Sequence, residues 1–553
     1  MRILVTSCCL LLGIGTQLQA QTTYSRVYEI MQEKCVQCHN NADPEQGLDL
    51  EGAGATLDLR MQDVFSNIVD VVPANSYAAS AGLNYIRPGR PDKSFIFHKI
   101  NQGLEPTIEL DPDMGQSMPA YGGPTMNEVE KEMIRQWILF GANYSGTYVN
   151  EDHLEQFYNG GGLASFDVPP PAPAPAEGFQ IKMGPFYLSP AGEPGDELEY
   201  FQKYALDLGA ELDVNQIDMK LSGSSHHFII YNYSSVAAAN NIPDGLRLES
   251  FHQNINLVCA VQEATDLKLP EGTAFKWPSQ QILDLNSHYI NYSAGLVYQA
   301  EVYVNIYTQP GGSAAQQMYS DLVANGDIYI PNNGNEVTHT QVIHPVNGAD
   351  VYLWNIMGHT HKYGVAYKAF EYKDGAVSDI IYDGACAEGI PGCASPFFDY
   401  QHIPPRYFEP LRPLPFDYFN GIKHEASWIN DGPSPVNFGP TSDDEMMVLV
   451  LMYTLDSVGV NVATSTKTIT SKLEGVSVSP NPAQKNLTVN LPASLSGESR
   501  FQIFDLTGKA LMDQRQSAFG SFTVDLQLPG GMYIYQLTDA AGRQASGKLR
   551  IVE

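Results

Sequence analysis

The chain has 553 residues, too long for one ordinary domain, so roughly three or four are expected. It carries 31 basic against 62 acidic residues, and the resulting net charge of −31 repels nucleic acid and anionic lipid, which excludes both as partners. Apolar residues make up 43% and charged ones 17%, with 48 Gly, 36 Pro and 31 Tyr, a balance that suits ample cores and many strands and turns rather than long helices.

Residues 1–20 have the pattern of a secretory signal. Arg2 supplies the positive end, Ile3 to Leu18 the apolar stretch and Ala20 the small residue that cleavage needs. Cys8 and Cys9 lie within that stretch and leave with it. No other apolar run is long enough to span a bilayer, so the expectation is a secreted or cell-surface protein exported through the periplasm.

Residues 21–150 show helical periodicity, as in Tyr24–Met31 and Asn127–Ile138. Within them Cys35-Val-Gln-Cys38-His39 has the spacing of a covalent haem site: two thiols one turn apart bond the porphyrin edge and the next imidazole takes an axial position on iron. A zinc site would need a second ligand pair, and none is nearby; a redox dithiol would not need His39. Met118, held by Pro119, is the preferred second axial ligand, with Met114 and His98 as alternatives. The stretch from Met118-Pro119 to Trp137-Ile-Leu-Phe-Gly-Ala142 resembles the end of small bacterial c-type cytochrome domains, a likeness that covers about residues 24–146 and implies one covalently attached haem c.

A proline-rich segment over 164–178, including Val168-Pro-Pro-Pro-Ala-Pro-Ala-Pro, is expected to be an extended, semi-rigid spacer. From 179 to 457 short alternating runs broken by Gly, Pro and Asn predict β-sandwiches. Two sets of metal-ligating side chains lie there. The first is His226-His227 with His288, and the second is His359-Thr-His361 with Met446. Three imidazoles suit copper or zinc, whereas two imidazoles and a thioether favour Cu(I). Strand alternation lets His359 and His361 share a face, but adjacent His226 and His227 need a bulge or a strand end to do so.

The two sets, with Trp428-Ile-Asn-Asp-Gly leading to Asp444-Glu-Met446, resemble the copper type II ascorbate-dependent monooxygenase family, which includes the peptidylglycine and dopamine hydroxylating enzymes. The resemblance implies two copper ions, an electron-transfer site at His226, His227 and His288, and an O2-activating site at His359, His361 and Met446. It also implies two packed antiparallel sandwiches (jelly-roll-like), 179–320 and 321–457, with one copper in each and a solvent-filled cleft between. The implied reaction hydroxylates an activated C–H bond of a small-molecule or peptide-like organic substrate. Its electrons come from an external donor (ascorbate-like or a redox protein), here by way of the fused haem. Peptide-amidating members carry an arginine where this chain has Met357, and polar or aromatic residues where it has Val448 and Val450, which argues against peptide amidation. Rival readings are a copper and haem electron-transfer protein that hydroxylates nothing, and a surface binding protein with an inactive monooxygenase fold.

Cys386 and Cys393 share a Gly/Pro-rich loop in which export favours a local disulfide, and Cys259 reads as a buried free thiol. His339 and His344 are assigned to a surface strand, and His402 and His424 to loops near the cleft.

A Thr/Ser-rich linker over 458–472 leads to a last small β-sandwich, 473–553. Its Val478-Ser-Pro-Asn-Pro482, Phe504-Asp-Leu-Thr-Gly508 and Leu528-Pro-Gly-Gly-Met-Tyr-Ile-Tyr resemble the type IX secretion sorting domain of Bacteroidetes, implying the type IX secretion machinery as a partner. The expected fold is therefore multidomain: a small all-α cytochrome c domain, two packed sandwiches and a small C-terminal sandwich.

Overall fold

The computed structural model describes residues 21–40, 48–50, 57–120, 122–344, 350–385, 392–417, 419–439, 441, 443–463, 473, 475–492, 495, 498–505, 509–516, 520–539 and 543–552. The signal expected at 1–20, Cys386, and most of the 458–472 linker lie outside them. The described chain is mostly β-sheet behind a helical N-terminal piece, and residues 464–553 form a compact unit of their own.

Among the described residues six α-helices make the N-terminal piece: α1 (Thr23–Lys34), α2 (Leu57–Ile68), α3 (Ser76–Ser80), α4 (Phe95–Ile100), α5 (Glu128–Leu139) and α6 (Glu151–Gly160). α1 starts where the Thr22 side chain accepts the Ser25 N–H, and α5 starts on a reciprocal Asn127/Glu130 capping box. Tyr24, Val27, Tyr28 and Met31 recur at helical spacing and pack with Ile134, Trp137 and Ile138 of α5 into one core. The helices run ten residues past the expected limit at 150, because Asn150 caps α6 and Leu154 of that helix is buried in the same core.

The expected spacer is not a free tether. The helical core includes Tyr187 and Val297 from the sandwich. Leu163 and Ala164 pair in parallel with Tyr298 and Gln299, and the carbonyls of Pro170 and Pro171 accept from Gln180 Nε2 and Asn305 Nδ2, both at 3.0 Å. Proline lacks an N–H but keeps its acceptor, so an extended proline run can still be held against a sheet by neighbouring amides. A buried ion network crosses the same boundary. Glu105 meets Arg135 at 2.9 Å and also Lys182, and Lys182 reaches Glu301 at 3.0 Å. Gly245 has a positive φ of 87°, and a Cβ there would lie 2.4 Å from the Leu139 carbonyl, so only glycine permits the helices to approach this closely.

A nine-stranded sheet is the spine of the β region. In chain order its strands are β1 (Glu197–Asp207), β2 (Ser225–Tyr233), β3 (Gly245–Arg247), β4 (Ile255–Val261), β5 (Gln280–Ile290), β6 (Tyr319–Ala324), β7 (Val351–His359), β8 (Arg406–Leu414) and β9 (Val448–Thr454). Across the sheet they lie in the order β8-β7-β9-β6-β4-β2-β5-β1-β3, and every pairing is antiparallel. A second sheet, with Gly178–Leu188, Leu212–Lys220 and Tyr298–Pro310, covers the first half over a core that includes Met183, Ile217, Phe228 and Leu285. Another, made of Glu336–Ile343, Gly364–Lys373, Ala376–Asp383 and Gly421–Ile429, covers the other half over Ile356, Tyr367, Trp428 and Leu449.

The boundary expected between residues 320 and 321 falls inside β6. That strand pairs with β9 on one side and, through Ser320 opposite Leu257, with β4 on the other. The two halves therefore share hydrogen-bonded backbone. A break in side-chain pattern between sandwiches does not reveal a strand that belongs to both.

Two sheets form the C-terminal unit: Ser477–Ser479, Asn486–Asn490 and Ser521–Asp525, and Ser499–Phe504, Ala510–Gln516, Gly531–Asp539 and Gln544–Ile551. Leu487, Val489, Phe501, Ile503, Leu537 and Leu549 fill its core. No helix among the described residues is long and apolar enough to cross a membrane.

Candidate metal centres

Five of the six side chains singled out in the middle of the chain are imidazoles, and all five converge. His227 lies directly opposite His288 in the β2–β5 ladder; the next pair is Ser225 with Tyr289, which leaves His226 as the extra residue of a bulge. The bulge lets adjacent imidazoles serve one centre, as their adjacency required. His359 is the last residue of β7 and His361 follows two positions on.

The geometry departs from two sites on either side of a solvent-filled cleft. His226, His359 and His361 place one donor atom each within 4.8 Å of one another, a set drawn from both expected groups. The His226 ring lies 5.1 Å from His288, 5.6 Å from His227 and 5.5 Å from His359, centroid to centroid, and His227 lies 5.1 Å from His288. Sheet order alone does not bring them together: β7 lies four strands from β2, so the sheet must curve toward the face that carries the imidazoles for these rings to meet. Gln262, which bonds His359, also borders a cavity of ≈ 20 Å³ with Met357 and His402, and none of the five imidazoles lines it. Met446 is half-buried and packs beside Met357, Val448 and Val450.

The chemistry of the donors suits a metal ion. Both ring nitrogens of His226, and Nδ1 of His227 and of His288, are buried without a hydrogen-bond partner. Buried polar atoms are rarely left so, because each loses its hydration without replacement. Burial, reinforced by the neighbouring imidazoles, lowers His226 to about 3, and it holds His227 and His359 well below the ordinary histidine range. Burial also lowers His361, to about 4, against the raising effect of its bond to Asp444. Neutral imidazoles are the ligating form.

Three of the other ring nitrogens have hydrogen-bond partners, and two of these face an acceptor, as is usual for metal-binding histidines. His288 Nε2 donates to Glu197 Oε1 at 2.7 Å and His361 Nδ1 to the Asp444 carbonyl at 3.2 Å, whereas His359 Nδ1 accepts from Gln262 Nε2 at 3.0 Å. Glu445 is fully buried. Its carboxylate accepts N–H groups from His361 (2.8 Å), Tyr363 (2.7 Å), Met446 (3.2 Å) and the Trp428 indole (2.8 Å), so it ties together the loops that carry His361 and Met446. Sequence reasoning placed Glu445 in a resemblance but gave it no task, and it passed over Glu197 and Gln262.

Other histidines have ordinary roles. Tyr367 Oη and Gln341 Oε1 bind the two nitrogens of buried His424, His402 faces Asp399 and His339 faces the Tyr329 carbonyl. Cys259 is a fully buried free thiol, and Cys393 is disulfide-bonded.

In the helical piece, Cys35 is the C-cap residue of α1, and Cys35, Cys38 and His39 line a cavity of ≈ 590 Å³ together with Tyr85, Met114 and Met118. Its size falls in the range of cofactor pockets. Cys35 and Cys38 are free thiols, with Cys35 raised to about 11 by burial and the neighbouring Cys38. Neither ring nitrogen of His98 is available, since Nδ1 and Nε2 face the carbonyls of Glu109 (3.1 Å) and Asp92 (2.9 Å). Met118 and Met114 both border the cavity.

No curated protein matches the chain. Among solved structures it is similar to a Faecalibacterium prausnitzii β-glucuronidase at 9% identity, over 39% of this chain and 36% of that one, with a TM-score of 0.13. A Ruminococcus gnavus β-glucuronidase gives 8% identity over 40% and 35%, TM-score 0.12, and a biofilm-associated protein BSP domain 10% over 70% and 84%, TM-score 0.14. The chain spans about a third of the length of those glucuronidases, and likeness at these scores carries no functional argument. Residues 477–552 match the family model of the secretion system C-terminal sorting domain, and the protein is exported by type IX secretion to the cell surface or the extracellular space.

Proposed function

We propose that this is a copper-dependent monooxygenase fused to a c-type cytochrome. The observation that carries the reading is the convergence of five imidazoles on one buried centre in which four ring nitrogens have no hydrogen-bond partner. His226, His227 and His288 would hold one copper ion, and His359, His361 and Met446 a second, the two adjoining at His226 rather than facing each other across a cleft. Bound copper would supply O2 activation and one-electron storage for the overall change R–H + O2 + 2 e⁻ + 2 H⁺ → R–OH + H2O. The electrons come from an external donor, ascorbate-like or a redox protein.

The chain's own groups prepare that chemistry. Burial keeps His226, His227, His359 and His361 neutral, Glu197 and the Asp444 carbonyl fix ring orientation, and Glu445 holds the His361 and Met446 segments in register. Cys35 and Cys38 would attach one haem, with His39 and Met118 as axial ligands; a haem there supplies a one-electron reservoir. The helical piece is packed on the sandwich rather than tethered, which supports transfer over a fixed distance.

A second reading, electron transfer without hydroxylation, draws on the burial of the donors: His226, His288, His359 and His361 are each no more than 8% exposed. Expression with a haem-attachment system, then metal analysis and turnover under ¹⁸O2, separates the readings. Two coppers, one haem and labelled alcohol support the monooxygenase. Copper and haem that cycle with a donor but yield no labelled product support electron transfer, and haem without copper removes both.

A further inference from the structure

Gln262 follows the last residue of β4 and is 4% exposed, and its amide reaches from that half of the sheet into the other. Nε2 donates to His359 Nδ1 at 3.0 Å and to the Tyr400 carbonyl at 3.3 Å, and Oε1 accepts the Ile403 N–H at 3.1 Å. The segment it holds fixes the orientation of the amide. Turned over, the side chain would set Oε1 against the Tyr400 carbonyl and its NH2 against the Ile403 N–H, two mismatches.

The bond to His359 runs against the usual order at a metal site. A metal-binding histidine donates from its free nitrogen to an acceptor, as His288 does to Glu197 and His361 to the Asp444 carbonyl. His359 faces a donor instead. Its neutral ring therefore accepts at Nδ1 and carries its proton on Nε2. An ion arriving at Nδ1 needs the lone pair that Gln262 already uses. An ion arriving at Nε2 drives the proton to Nδ1, where it meets the Gln262 NH2. In both cases the amide has to move, and its bonds to Tyr400 and Ile403 are made only from the present position.

We infer that Gln262 is a positioning residue that reads the state of His359: it holds segment 399–403 against the empty centre and releases it when an ion binds there. This rests on the metal centre proposed above, not on O2 chemistry or haem. The other ties of the segment are weaker or lie at its end. Gln401 Nε2 donates to Tyr292, which is 59% exposed, and the Pro404 carbonyl accepts from Tyr382. The Ile403 side chain is buried in the second core, so what comes free is 399–402 and the Ile403 N–H.

Hydrogen exchange of the full chain tests this, read by mass spectrometry on peptides ending at Pro405. Pro404 and Pro405 add no N–H, so the signal belongs to few amides. Ligands ordinarily slow exchange. Here saturating Cu(I) is expected to speed it in this segment by about tenfold or more, while Val448–Thr454 in β9 stays protected and reports that the chain is folded. Gln262→Leu can neither donate nor accept, and its segment should exchange fast with or without Cu(I). Gln262→Glu offers a carboxylate that accepts from both Ile403 and a loaded His359. It should bind Cu(I) about tenfold more tightly and keep the segment protected.

Copper uptake is counted on the wild type and on His359→Ala. A copper lost from that variant, with exchange at 399–403 unchanged or slowed in the wild type, overturns the inference alone. A Gln262→Leu segment as protected as the wild type's does the same without any metal. No copper on either chain, or equal amounts on both, overturns the metal site at His359 and the inference with it.

Discussion

Glu445 Oε2 accepts the backbone N–H of His361 at 2.8 Å, joining segments 84 residues apart in the chain. The same carboxylate takes three further N–H donors, so the position of His361 relative to Met446 depends on one acid.

Glu445→Gln places an amide NH2 among groups that only donate. At least one donor is left unmatched, at a cost of about 1–3 kcal/mol. Thermal unfolding should register the loss, and copper titration should show the second site weakened before the His226, His227 and His288 site. Equal weakening of both would argue against a clamp local to His361 and Met446.

Cu(I) should raise the midpoint of thermal unfolding, since a ligand that binds only the folded state stabilises it by mass action. His226→Ala should abolish most of that rise while changing the metal-free midpoint little. The imidazole it removes has two unpartnered buried nitrogens, and losing their desolvation cost offsets part of the lost packing. Differential scanning calorimetry with and without Cu(I) reads both effects.

A Cβ built at Gly358 would lie 2.3 Å from the Tyr367 ring, which is fully buried and bonded to His424. Gly358→Ala should therefore cost about 1–3 kcal/mol and move His359 off the centre. Reduced copper stoichiometry in a folded variant is the expected result; a fully loaded variant would mean the ring yields without disturbing β7.

Burial alone would raise Glu105, but Lys182 and Arg135 overcome it and hold the carboxyl at about 2. A depressed acid contributes stability in full above its unfolded value near 4.5, and that contribution is lost as pH falls through about 2. The helical piece should therefore loosen from the sandwich on acidification over this window, visible as new cleavage by pepsin near residues 161–178. Glu105→Gln should expose the same segment at neutral pH, read there as new cleavage by thermolysin, because breaking a buried pair costs about 3–5 kcal/mol.

The sequence made the ligand types plain, and it also stated a geometric demand that the structure meets: adjacent His226 and His227 serve one centre only with a bulge, and His226 occupies it. The grouping of Cys35, Cys38 and His39 was legible because the three are close in sequence, and the structure puts them on one cavity. What escaped were relationships between distant single residues. Gln262 reaches His359 across 97 residues, and nothing in its local pattern marks it. The expected boundary at 320/321 cut through β6 because alternation reports which face is buried and not which strands lie on either side. The proline run read as a spacer because composition describes backbone stiffness, whereas the Gln180 and Asn305 amides that hold it lie in strands outside the run.

A strand owned by both sandwiches has a consequence for anyone who would divide the protein. A cut before Tyr319 leaves β4 without its neighbour and gives the downstream fragment a bare β6 edge, each a row of unsatisfied amides and carbonyls. Such fragments should not behave as two soluble domains. Made together they should recombine through that seam and recover the imidazole cluster, and made apart they should self-associate.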